Sequence, residues 1–359
     1  MNVFTIIFLI FAVLGALDYL IGNKFGLGAE FERGFKFFSA TALSMIGIII
    51  LAPALAVWIK PLFEGFYNIF KIDPSIIPAS LFANDMGGAS LALEVAKDET
   101  VGKFNAFVVS SMLGCIISFT IPFASGIVSK GNHKNLFLGF ICGIVTVPVG
   151  CIVGGLMCGL GFVTVIIDLL PVIIISVLFS LGLIFLPKLS LKVLGGFAAL
   201  LKIVIVAGLI VGIISFLTGT PLPDYFDTFD EGAYICVRIS VTLAGAFPFV
   251  LVLGKLLKKP LKWIGSKIGI GELSALSLLS TLVTNATAFA NMDEMDKKGV
   301  VINSAFACSA AYIFGSHLAF TSAMAPELIV TVIVSKLISG VSAVILAVVI
   351  TSKKKKEVL

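Results

Sequence analysis

Long apolar runs divided by short polar separators dominate this chain. The runs fall at 3–21, 37–58, 75–95, 104–128, 136–159, 162–187, 200–217, 235–256, 273–292, 300–323 and 326–350, and the separators carry most of the charge. About 20 apolar residues let a helix cross the hydrocarbon core of a bilayer. The pattern therefore predicts an all-α integral membrane protein.

A weak internal repeat runs through these segments. Phe31-Glu32-Arg33-Gly34 aligns with Phe229-Asp230-Glu231-Gly232 at an offset of 198, and Asn105, Ala106 and Ser111 align with Asn303, Ser304 and Ser309 at the same offset. Between these anchors Ser75 meets Ser274, and Asn84 meets Asn285, with a shift of one to three residues. Low-identity internal symmetry of this kind is common among transporters.

Lysine and arginine positions then bear on topology, because cytoplasmic loops carry an excess of both. If all eleven segments cross, the basic residues of the linkers divide evenly between the two sides. If 75–95 and 273–292 instead dip in and return, only Lys60, Lys71, Lys97 and Lys103 remain on one side. The expectation is about nine transmembrane helices and two re-entrant hairpins, with the amino terminus outside. The first segment is read as a retained span. The single transporter domain then divides into a first repeat (1–128), connecting helices (129–190), a second, inverted repeat (191–323), a last helix (324–350) and a cytoplasmic lysine tail (351–359).

Composition sharpens the class. Charged residues make up 13% of the 359, against about 25% in a soluble domain, and the net charge of +5 reflects membrane-side lysines rather than nucleic-acid binding. The six cysteines lie in apolar runs without metal-ligand spacing, so no metal or other cofactor is expected. No HExxH, P-loop or Gly-x-Ser-x-Gly pattern occurs. No catalytic residue is assigned.

The first hairpin reads Ser80-Leu81-Phe82-Ala83-Asn84-Asp85-Met86-Gly87-Gly88. Asp85 is a carboxylate at mid-membrane, which by default marks a functional site, although Asp also serves as a helix N-cap. Gly87 and Gly88 free the backbone to turn there. The second hairpin offers Asn285 and Thr287 but no carboxylate. They could bind a hydroxyl or meet the opposing tip. Asn105 and Asn303 form a symmetric pair that either contacts substrate or ties helices together. These eight residues, Asn84, Asp85, Gly87, Gly88, Asn105, Asn285, Thr287 and Asn303, are the candidate binding set. His317 is read as a helix-packing residue ahead of a proton relay. Lys336 is open to pairing with a carboxylate such as Asp85, to snorkelling, or to an aqueous cavity. Glycines across 139–161 predict close helix packing.

Three stretches carry a likeness to a known family. "GNKFGLGAEFERGF" (Gly22 to Phe35), "LFANDMGGASLALEVA" (Leu81 to Ala96) and "TNATAFANMDEM" (Thr284 to Met295) resemble the EutH family of bacterial ethanolamine utilisation. The resemblance extends over essentially the whole chain and implies uptake of ethanolamine across the bacterial cytoplasmic membrane. Ethanolamine is a primary amine, protonated at neutral pH like a lysine side chain, and its partners here would be the substrate itself and membrane lipid. A homo-oligomer is compatible with the sequence. An inside-negative potential alone would let a uniporter concentrate such a cation. The alternatives are a carrier of another small amine or polar solute, and an intramembrane enzyme.

Overall fold

The structure, a computed structural model, describes residues 3–356. The end of the expected lysine tail at 351–359 lies outside the described residues. Among those described, regular structure is helical throughout. In chain order the helices are α1 (Val3–Leu20), α2 (Leu27–Phe70), α3 (Ile76–Leu81), α4 (Gly88–Val95), α5 (Glu99–Ile127), α6 (Lys130–Met157), α7 (Phe162–Asp168), α8 (Leu170–Phe185) and α9 (Pro187–Thr218). They continue with α10 (Phe229–Ile268), α11 (Glu272–Val283), α12 (Asn285–Ala290), α13 (Lys297–Ala310), α14 (Ser316–Met324) and α15 (Ile329–Lys356).

Among the described residues seven helices are long and apolar enough to cross a membrane, and α7 with α8, bent by 43° at Leu169, would make an eighth. The expected span 300–323 departs from a continuous helix. It breaks at 311–315 into α13 and α14.

Local chemistry explains several ends. Asp98 caps α5 by accepting from the Thr100 and Val101 amides, and Thr228 caps α10 by accepting from the Glu231 amide. Asp230 and Glu231 add negative charge where the helix dipole favours it. At the other end of α10, Gly269 takes a left-handed φ of 74° that closes the helix.

Burial sorts the helices into a centre and a rim. The most apolar stretch of α5 is 83% buried, whereas that of α1 is 17% and that of α9 22% buried. The outward faces of α1 and α9, with Leu9, Val13, Leu17, Ile203 and Ile210 exposed, are apolar, as a lipid-facing surface must be. Inside, α6 lies against α13 and α15 at close range. A side chain at Gly150 would sit 2.6 Å from the Ser339 Cβ, so only hydrogen there permits the contact.

Candidate functional site

Both segments expected to be hairpins are interrupted, and each interruption lies against the centre of the molecule. In the first, Phe82 and Ala83 are extended, Asn84–Met86 make one 3-10 turn, and α4 begins at Gly88. The Ala83 carbonyl accepts from the Met86 amide at 3.0 Å and the Gly88 amide at 2.9 Å. Gly87 makes the turn with a φ of 96°, which costs a side-chain-bearing residue roughly 1–2 kcal/mol. Gly88 is needed for space, since a Cβ would press on the Phe82 and Ala83 carbonyls. Ser118 of α5 accepts from the Ala83 amide at 3.1 Å and anchors the turn.

In the second segment Thr284 is extended, and its hydroxyl caps α12 by accepting from the Ala286 amide at 3.3 Å. The Asn285 Oδ1 accepts from the Tyr312 hydroxyl at 2.5 Å. Tyr312 belongs to the unwound stretch between α13 and α14 and holds a left-handed φ of 63°, uncommon for any residue with a side chain. Backbone pairing holds it there: the Tyr312 amide donates to Thr281 at 3.1 Å and the Phe314 amide to Leu282 at 2.7 Å.

The ends of each interrupted segment also come together. Asp73 accepts from Ser75 through its amide and hydroxyl, and from the Lys97 and Asp98 amides at 2.9 and 3.0 Å. One carboxylate thus clasps the chain where it enters and leaves. Asp296 does the same at the second segment, accepting from the Gly271 amide, the Ser274 hydroxyl and the Gly299 amide within 2.8 Å.

Between the two interruptions is a cavity of about 290 Å³, at the small end of ligand pockets (roughly 300–1,000 Å³). Asp85 and Met86 line it from the first turn, Thr284 and Ala286 from the second, and Tyr312 and His317 from the broken span. Thr41 and Ser44 also face it, next to a wide i→i+5 turn at Ala42–Ile46, a distortion often found at functional sites. Asp85 does not cap α4, whose N-cap is Gly87 with no side-chain bond. Its carboxylate is 15% exposed and lies 3.6 Å from the His317 Nε2. On the far side of that ring the Lys336 ammonium lies 3.3 Å from Nδ1 and donates to the Ser111 carbonyl. A buried line of titratable groups thus runs from Lys336 through His317 to Asp85 at the cavity.

The other candidates are placed differently. Asn84 and Asn285 lie just behind the cavity, fully buried, and each keeps one atom, Asn84 Oδ1 and Asn285 Nδ2, without a partner among the described residues. Thr287 faces a neighbouring cavity of about 390 Å³, which also reaches Glu30, Arg33 and Lys255. Asn105 and Asn303 stand at the bases, where Asn105 donates to the Ser75 hydroxyl at 3.0 Å and Asn303 to the Ser274 carbonyl at 2.9 Å. Reading the sequence missed Tyr312, Thr284 and the engagement of His317 with Asp85. The one signal was Tyr312 and Gly315 within an apolar span.

Comparison with known proteins completes the description. The profile of the family described as "EutH: Ethanolamine utilisation protein, EutH" matches residues 1–350. A Listeria monocytogenes protein named "Probable ethanolamine permease EutH" is 40% identical over 97% of this chain and 93% of its own. The Escherichia coli protein of the same name is 35% identical over 92% of this chain and 86% of its own. A Bacillus subtilis relative, "Uncharacterized protein YxeR", is 36% identical over 93% of this chain and 90% of its own. No solved structure matches.

Proposed function

The chain belongs to the EutH family, and from that premise we propose that it carries protonated ethanolamine into the bacterial cell by alternating access. The observation that carries this reading is Asp85 in the cavity between the two interrupted segments. A small ammonium crosses lipid poorly and needs one negative partner out of water. Asp85 supplies it, and the carbonyl end of α3 points a negative dipole towards the same turn. Asn84 Oδ1 and Asn285 Nδ2 hold the spare acceptor and donor that a substrate hydroxyl would use once the turns part.

In this reading 75–95 and 273–292 are re-entrant hairpins from opposite faces, at matching places in two inverted repeats, 1–128 and 191–323. Their likeness in chemistry supports it: an aspartate clasps each base, and Asn105 and Asn303, at an offset of 198, tie each following helix to Ser75 and Ser274. Nine crossings then place the lysine tail in the cytoplasm.

The test is saturable uptake of labelled ethanolamine by proteoliposomes. Asp85→Asn removes it while the protein still inserts and elutes as a single species. Unchanged uptake by that variant would take Asp85 out of the site. Competition by other primary amines sets the breadth of the substrate class.

A further inference from the structure

Among the described residues Lys336 is the one lysine or arginine that is buried, at 1% exposure. It has no carboxylate at contact distance. Its nitrogen is joined to the cavity through His317, whose Nδ1 faces Lys336 at 3.3 Å and whose Nε2 faces Asp85 at 3.6 Å. The other titratable groups facing this line are the thiols of Cys115 and Cys151 and the phenol of Tyr312, which add no fixed charge. Before substrate docks, the line therefore balances one cation, Lys336, against one anion, Asp85. A substrate ammonium on Asp85 would leave two cations and one anion in a space shielded from water, which is strongly unfavourable.

We propose that uptake is an electroneutral exchange, in which each substrate ammonium that docks on Asp85 releases the proton carried by Lys336 along His317. The inference rests on the reading of Asp85 as the ammonium site. The Lys336 Nζ–H bond breaks as a bond forms to His317 Nδ1. The His317 Nε2–H bond breaks as that proton passes to water in the cavity. Lys336 becomes a neutral amine, His317 becomes the other neutral tautomer, and the substrate keeps its own proton. After the substrate leaves on the inner side, the reverse path reprotonates Lys336 from water there. One ammonium enters and one proton leaves per cycle.

The full-length protein in proteoliposomes tests this with labelled ethanolamine and a potassium diffusion potential. Wild-type saturable uptake stays within about twofold when 100 mV, inside negative, is imposed at equal pH, and an acidic lumen raises it. Lys336→Gln leaves no proton to exchange, so its uptake becomes potential-driven, with a ceiling of roughly fifty-fold accumulation at 100 mV. Wild-type uptake that follows the potential and ignores the pH gradient overturns the exchange while leaving ethanolamine transport intact. Lys336→Gln uptake that stays blind to the potential also overturns it, because a carrier of the neutral amine behaves that way. If that variant does not fold, the wild-type measurements decide alone. If no saturable uptake occurs under any condition, the underlying transport reading falls, and the exchange falls with it.

Discussion

The two interrupted segments do related jobs with different chemistry. The turn at 82–87 carries the charge, is made by Gly87, and is anchored by Ser118 of α5, the long apolar helix with the most buried stretch. The turn at 284 carries no charge, is capped by its own Thr284 hydroxyl, and is held from the side by Tyr312. One therefore presents a carboxylate to the cavity, and the other lines it with neutral groups. That asymmetry suits a small solute with one charged and one polar end.

Four measurements would break or sharpen the contrast. The largest effect is expected from the charge. Asp85→Asn loses a charge-assisted bond worth about 1.5–3 kcal/mol, or at least tenfold in kcat/KM for uptake, whereas Asn285→Ala costs less. Equal losses would erase the distinction between the tips. Gly87→Ala comes next. The left-handed turn costs roughly 1–2 kcal/mol, with a further penalty from the Ile48 side chain against the new methyl, so a lower melting temperature in detergent accompanies reduced uptake.

Tyr312→Phe follows, with about 1 kcal/mol from the lost bond to Asn285, read as a several-fold rise in KM with little change in melting. The smallest effect is pH dependence at the second base. Burial alone would raise the Asp296 carboxyl, but bonds from Ser274, Gly271 and Gly299 hold it below its ordinary value. A carboxyl held low stabilises the fold above its unfolded value of about 3.9 and loses that contribution as pH falls through the folded one. The melting temperature should therefore drop below about pH 4, and Asp296→Asn should flatten that part of the profile.

Much of this was legible in the chain. Apolar runs marked the spans, and the polar pair before Gly87-Gly88 marked the first turn. Two matters were not. The break at 311–315 sits inside a run long and apolar enough to read as one span, and what unwinds it is pairing of Tyr312 and Phe314 with carbonyls of α11, a tertiary effect that periodicity does not carry. The contacts of His317 with Asp85 and Lys336 are likewise invisible locally, because they join three separate helical regions. Conversely, Asn105 and Asn303 look like site residues because they are amides within spans, yet both hold the bases of the interrupted segments. Asp168 is buried at the α7–α8 bend, a placement the sequence does not reveal.

Thr284 is the residue common to the linings of the two cavities, the one beside Asp85 and the larger one reaching Lys255. The same side chain caps α12, so swinging it aside costs about 1 kcal/mol, within easy reach of thermal motion. In the proposed topology Arg33 and Lys255 lie on the cytoplasmic side, so the vestibule behind this thin partition would be the way out for a solute taken up from outside.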